Sequence, residues 1–131
     1  MPFAVNTQVK RLLVACVLTG AAFAPVAVAQ TAGDAVAGKR AFGACMSCHS
    51  VKPGATGIGP SLAGVAGKKA GVNDPKFKYS AAMKAAPAWS DAQLDKFLTD
   101  PKAAVPGNTM AMAPTKDAKK RADIIAYLKT N

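Results

Sequence analysis

The chain is poor in residues that bind metals, with one histidine and three cysteines among its 131 residues. A structural zinc site takes four protein ligands, usually cysteine or histidine. Residues 1–29 have the pattern of a cleaved leader, which removes Cys16 and leaves two cysteines and one histidine. That count excludes a structural zinc site, and the single histidine excludes any site that needs two.

Large apolar side chains are also scarce. Aromatic residues make up 6% of the sequence, and alanine, which buries little area, supplies much of the 50% hydrophobic content. A domain of about 100 residues is already marginal in core size. A bound apolar group would supply the missing part of such a core.

Acidic residues are few, because 7 Asp and Glu stand against 17 Lys and Arg, for a formal net charge of +10. Without Lys10 and Arg11 of the leader, 15 basic residues still face 7 acidic ones. Such a charge steers association with acidic partners. Nucleic acid is not expected as a partner, since no basic run is interleaved with aromatic residues.

Strand-like alternation, internal repeats and phosphate-binding glycine motifs are absent from the sequence. The remaining periodicity predicts an all-α fold with one domain after the leader. Four helices are predicted: from Asp34 as cap to about Cys45, 81–84 capped by Ser80, 91–99 with a Ser90–Gln93 capping box, and a last one from Thr115 to about Lys129. We expect residues 52–71 and 101–114 to be irregular.

The N-terminus predicts export from the cytoplasm. Lys10-Arg11 precedes an uncharged stretch, 12–29, that ends in the small-residue pattern Ala27-Val28-Ala29. This is typical of a secretory signal peptide, so we expect residues 1–29 to be removed, residues 30–131 to form the mature domain, and the protein to lie in the periplasm. An uncleaved membrane anchor is the alternative, although Pro25 favours a signal.

One motif carries the chemistry: Cys45-Met46-Ser47-Cys48-His49. The spacing C-x-x-C-H is typical of covalent haem attachment, with the histidine as an axial ligand of the iron. A thioredoxin-like dithiol would need a βαβ unit. A plain disulfide would leave the histidine unexplained. The motif occurs once, so one haem c is expected.

The other face of the iron decides the function. Methionine closes that face and raises the reduction potential, whereas an open face permits ligand binding or catalysis. Met46 lies inside the attachment motif and Met83 in a short helix, so neither is favoured. Met110 and Met112 lie in a Pro/Gly-punctuated loop that could cross the iron, and composition does not separate them.

Several segments together resemble class I c-type cytochromes, in particular the bacterial periplasmic subgroup close to mitochondrial cytochrome c. The resemblance covers residues 33–130 and implies three main helices, short helices and loops wrapped around one covalently attached haem. It rests on Gly33-Asp34 with Gly38 and Phe42, the attachment motif, Gly59-Pro60-Ser61-Leu62, Trp89, Pro106-Gly107-Asn108-Thr109-Met110, and residues 121–129.

The resemblance also implies roles for individual residues. Met110 would be the second axial ligand, and the Pro60 carbonyl would accept a hydrogen bond from the ring of His49. The haem propionates would be bonded by Tyr79, Trp89 and Asn108. Two positions depart from the family pattern, since Lys68 replaces a common propionate-binding arginine and Phe97 a common tyrosine.

The function implied is a soluble one-electron carrier and not an enzyme. Expected partners are acidic-surfaced redox proteins: membrane cytochrome complexes, terminal oxidases or periplasmic reductases. The family's docking lysines are only partly matched, by Lys102 and Lys116. A monomer without stable membrane insertion is expected. The alternative is an open-iron haem protein with peroxidase-like or gas-binding activity.

Overall fold

The computed structural model describes residues 32–131. The predictions on the leader, its cleavage before Gln30 and the loss of Cys16 lie outside the described residues. Within 32–131 the regular structure is helical, without strands, and none of the helices is long and apolar enough to cross a membrane. The elements are α1 Ala35–Phe42, a 3₁₀ turn Gly43–Cys45, α2 Ala81–Ala85, α3 Asp91–Thr99, α4 Pro101–Ala104 and α5 Ala118–Leu128.

Side-chain caps start the first three helices where the sequence predicts them. The Asp34 carboxylate accepts the amides of Val36 and Ala37 at 2.7 and 3.2 Å. Ser80 and Ser90 each accept one first-turn amide, at 3.1 and 3.2 Å. The predicted capping box at Ser90 is only half formed, because its own amide donates to the Ala88 carbonyl instead.

Two predictions after residue 100 are wrong. Residues 101–104 form α4, because the Asp100 side chain accepts the amides of Lys102 and Ala103 and Pro101 occupies the first helical position. The last helix is capped by Asp117 and not by Thr115. Ala118, the first residue of that helix, is exposed.

Helices α1 and α5 cross in close contact. A Cβ added at Gly38 would overlap the backbone carbonyl of Asp123, so glycine is required for this approach. The rings of Phe42 and Tyr127 pack at 5.4 Å beside the crossing, and Ile124 is buried. Gly38 and Phe42 therefore both pack against the last helix.

A buried carboxylate ties the same two helices together. Asp123 on α5 is 7% exposed and accepts the backbone amide of Asp34 at 2.7 Å and the ammonium of Lys119. These contacts, the Asp34 amide first, lower the pKa of the Asp123 carboxyl. The charge of Asp123 thus fixes the start of α1 against α5.

The apolar core lies between α1, α3 and α5 and continues into the loops. Trp89 and Phe97 meet edge to face, with their ring centroids 5.0 Å apart. The core residues are Phe42, Val65, Ala70, Ala86, Trp89, Leu94, Phe97, Leu98, Val105, Ile124, Ile125 and Leu128. Instead of closing on itself, this core surrounds a cavity.

Candidate functional site

The cavity has a volume of about 860 Å³ and is lined mainly by apolar side chains. Its size is that of sites for cofactors and other small molecules, about 300–1,000 Å³. Exposed residues such as Ala44, Ile58 and Thr109 belong to its rim, so one edge reaches the surface. Polar or reactive groups in its wall include Cys45, Cys48, His49, Asn73, Tyr79, Ser80, Trp89, Met83, Met110 and Met112.

The attachment motif continues α1 as a tight helical turn. The amides of Cys48 and His49 both donate to the carbonyl of Cys45, at 3.1 and 2.9 Å. Residues three and four apart share one face of such a turn. Both cysteines and the histidine therefore line the cavity together, with free sulfurs. Burial raises the pKa of the Cys45 thiol.

His49 is held by a loop that passes close to its ring. Nδ1 lies 2.8 Å from the carbonyl oxygen of Pro60, which can only accept, so Nδ1 carries the proton and donates it. The Nε2 lone pair is left available as a metal ligand. A Cβ at Gly59 would come within 2.8 Å of Nδ1, so glycine is needed for this approach.

The side chain of Asn108 holds the backbone of the Met110 loop through hydrogen bonds. The amide oxygen of Asn108 accepts the backbone N–H of Met110 at 2.9 Å. Its amide nitrogen donates to the carbonyls of Pro101 and Val105, at 2.6 and 2.8 Å. The Lys102 ammonium binds the Asn108 carbonyl at 2.7 Å. The loop backbone at Met110 is thus anchored to α4.

These contacts correct the expected role of Asn108. Its side chain is buried, is absent from the cavity wall, and spends both amide hydrogens on backbone carbonyls. It therefore has no donor left for a haem propionate. The same segment, 101–105, that was expected to be irregular supplies the two acceptors.

Tyr79 and Trp89 do line the cavity, as expected of propionate contacts. The Tyr79 hydroxyl oxygen accepts the amide of Asp74 at 3.0 Å, which leaves its hydrogen free to donate. Burial raises the pKa of Tyr79, so the hydroxyl stays protonated at neutral pH. Lys68 is not part of the wall; its carbonyl accepts the Trp89 amide at 2.8 Å.

Two methionines beyond Met110 also line the cavity, Met83 and Met112. All three are packed against the apolar core. Of the lysines, Lys116 and Lys120 reach the rim, whereas Lys102 is engaged with Asn108. Sequence reasoning included Lys102 and Lys116 among the docking residues but not Lys120.

The donors in this wall fit a covalently held haem. Two free sulfurs stand at the spacing that adds to the two vinyl groups, an imidazole nitrogen is available beside them, and thioether and apolar side chains complete the wall. Bound there, a haem would supply a one-electron couple and the apolar bulk that the small core lacks. No group of three or more His, Cys, Asp or Glu side chains elsewhere in residues 32–131 offers a competing metal site.

An all-α domain wrapped around a cavity with a C-x-x-C-H turn in its wall defines a c-type cytochrome. The family model for cytochrome c matches residues 35–131, and the chain belongs to this family. It is similar to cytochrome c2 of Rhodomicrobium vannielii, 46% identical over 115 residues that cover 86% of this chain and 91% of that one. Cytochrome c of Euglena viridis is 48% identical over 100 residues, covering 75% and 97%.

Solved structures agree with these relatives. Cytochrome cH from Methylobacterium extorquens superposes with a TM-score of 0.72 at 45% identity, covering 76% of this chain and 100% of that one. Cytochrome c2 from Rhodospirillum centenum gives a TM-score of 0.68 at 33% identity, covering 75% and 98%. The predicted class I subgroup, the all-α cytochrome c fold and the single covalently attached haem c are confirmed. The chain is a monohaem electron carrier.

Two residues near the site escaped sequence reasoning. Asp74 is not among the predicted site residues, yet it is 2% exposed and binds Thr56 and Ser61. Asn73 donates to the carbonyls of Ser61 and Ala63, and its amide oxygen is buried without a partner. An Asn-Asp pair is typical of turns, and the sequence alone does not indicate whether such a turn is exposed or buried.

Proposed function

We propose that the protein transfers single electrons between redox partners in the periplasm, through a haem iron bound by His49 and Met110. The observation that carries this proposal is that the attachment turn and the braced Met110 loop line one cavity. Met110 has the anchored backbone that a permanent ligand needs, because Asn108 fixes its amide. Of the two loop methionines, this favours Met110 as the ligand.

The other groups in the wall serve the same couple. The Pro60 carbonyl fixes the His49 ring and raises its basicity as a ligand. Tyr79 and Trp89 offer donors to the haem propionates, and apolar residues such as Phe97 and Leu98 exclude water. The protein supplies the iron ligands, excludes water from the haem and provides surface charge. It performs no bond-making step on a substrate.

The rim supports an acidic-surfaced partner. Lys116 and Lys120 stand where the cavity meets the surface, on a domain in which 15 basic residues face 7 acidic ones once the leader is removed. Positive charge at the exposed edge speeds encounters with membrane cytochrome complexes, terminal oxidases or reductases of opposite charge. We propose that the mature domain, residues 30–131, acts there as a monomer without stable membrane insertion.

A redox titration of the purified protein tests the function. We expect one reversible one-electron wave, no rapid carbon monoxide binding to the reduced form at neutral pH, and electron exchange with an anionic dye that slows as salt is raised. A cationic dye is the control, because its rate should rise with salt. Rapid stoichiometric carbon monoxide binding would instead support the open-iron alternative.

A further inference from the structure

Asp74 is a buried carboxylate that the proposed haem contacts do not use. It is 2% exposed, and burying a charge in this way is costly unless it is hydrogen-bonded. Its oxygens accept the Thr56 hydroxyl at 2.6 Å, the Ser61 amide at 2.9 Å and the Lys76 amide at 3.1 Å. These contacts, the Thr56 hydroxyl first, lower the pKa of the Asp74 carboxyl, which is ionised at neutral pH.

The backbone of Asp74 connects a second segment. Its amide donates to the Tyr79 hydroxyl at 3.0 Å, and its carbonyl accepts the Phe77 amide at 3.2 Å. Asp74 therefore joins the loop that follows the attachment motif to the segment that carries Tyr79. Both segments reach the cavity wall.

One peptide group lies between this carboxylate and the axial histidine. The amide of Ser61 and the carbonyl of Pro60 belong to the same planar unit. Its N–H donates to Asp74 at 2.9 Å, and its oxygen accepts from His49 Nδ1 at 2.8 Å. A charged acceptor on the N–H side orients this unit and polarises it, which strengthens the oxygen as an acceptor.

We propose that Asp74 is a positioning residue for the haem ligand His49, acting through the Pro60–Ser61 peptide group. The proposal rests on the function proposed above, with His49 on the iron. A stronger hydrogen bond from Nδ1 makes the imidazole a more basic ligand, which favours the oxidised iron. Asp74 thereby lowers the reduction potential and holds the ring in place.

The test compares Asp74→Asn and Asp74→Ala with two further variants. Thr56→Val removes one donor to the carboxylate while keeping the charge. Asp123→Asn is the matched control, because Asp123 is also a buried carboxylate that accepts a backbone amide, but its partners are on the α1–α5 crossing. The readouts are hydrogen exchange of the His49 ring N–H, followed by NMR in the reduced holoprotein, and the midpoint potential.

We expect the His49 ring N–H to exchange about tenfold faster in both Asp74 variants, as loss of a charge-assisted contact predicts. The potential should rise more than in Asp123→Asn, and Thr56→Val should shift both readouts in the same direction by less. The control should lose stability with an unchanged ring N–H.

The inference is overturned if Asp74→Asn exchanges its ring N–H at the wild-type rate and moves the potential no more than the control. Should both Asp74 variants fail to fold, Thr56→Val decides alone, and unchanged readouts in it count against the proposal. Failure of the proposed function is seen separately, because the wild-type protein itself would then lack a reversible one-electron wave.

Discussion

At the residue scale, the site depends on two side chains, His49 and Asn108, whose hydrogen bonds fix their orientation. His49 gives its Nδ1 proton to Pro60 and keeps Nε2 for a ligand role. Asn108 uses its oxygen and both amide hydrogens to fasten the Met110 loop to residues 101 and 105. Side chains held in this way keep one conformation, which a haem ligand needs.

Replacing Asn108 by alanine should loosen the Met110 loop. Two buried carbonyls and the Met110 amide lose their partner, so we expect the free energy of unfolding to fall by about 2 kcal/mol. Carbon monoxide should also bind the reduced protein faster, because the thioether is less firmly held. Urea unfolding and the carbon monoxide binding rate are the measurements.

Thr109→Ala is the control for this change, since Thr109 is the exposed neighbour of Asn108 in the same loop. We expect its stability to stay within about 0.5 kcal/mol of wild type. If Asn108→Ala behaves like Thr109→Ala in both measurements, the bracing role of Asn108 is wrong.

The residues of the attachment motif could be predicted from the sequence, because covalent chemistry fixes their type and spacing. The role of Asn108 could not, because an amide bonds a propionate or a backbone carbonyl equally well. Asp74 is similar: its position in a turn is readable, but its burial depends on how residues 56–61 fold over it. Long-range contacts of this kind leave no local pattern.

At the scale of elements, the crossing of α1 and α5 holds the attachment turn in place. Gly38 permits the close approach, and Asp123 ties the first turn of α1 to α5. The 3₁₀ turn that carries Cys45 follows α1 directly, so the crossing also sets where the cysteines lie. Mutations at the crossing should therefore lower the free energy of unfolding more than they change the properties of the haem.

Gly38→Ala tests the crossing. In an exposed helix interior this change stabilises by about 1 kcal/mol. Here the new Cβ would overlap the Asp123 carbonyl, so we expect destabilisation by about 1–3 kcal/mol instead. Urea unfolding of the holoprotein measures it.

Gly43→Ala is the matched control, because a Cβ at Gly43 meets no atom within 4 Å and the residue has a right-handed helical conformation. We expect it to be neutral or slightly stabilising. Equal effects of the two substitutions would mean that α1 and α5 do not approach as closely as described.

Element boundaries show where local signals are sufficient. Asp34 and Ser80 were predicted as caps because each stands directly before a helical segment, and Ser90 because Gln93 follows at capping-box spacing. Before the last helix the prediction chose Thr115, although Asp117 is a capping residue type as well. The Thr115 carbonyl instead accepts the Arg121 guanidinium at 2.9 Å, and Asp117 becomes the cap.

At the scale of the whole molecule, the chain folds around the cavity that fits its haem. The cavity wall draws on residues from Ala41 to Leu128, so segments far apart in the described sequence contribute to it. The scarcity of aromatic residues indicated a missing piece of core, and the cavity of about 860 Å³ is where that piece belongs. Its shape follows from loop packing and could not be predicted from periodicity.

The central claim is that one iron is held between His49 and Met110, and methionine labelling tests it most directly. In the reduced protein with ¹³C-labelled methionine methyl groups, the haem ring current should shift one methyl resonance far upfield. We predict that Met110→Leu removes this resonance and that Met112→Leu and Met83→Leu keep it. Its persistence in Met110→Leu, or its absence from the wild-type spectrum, would contradict the account.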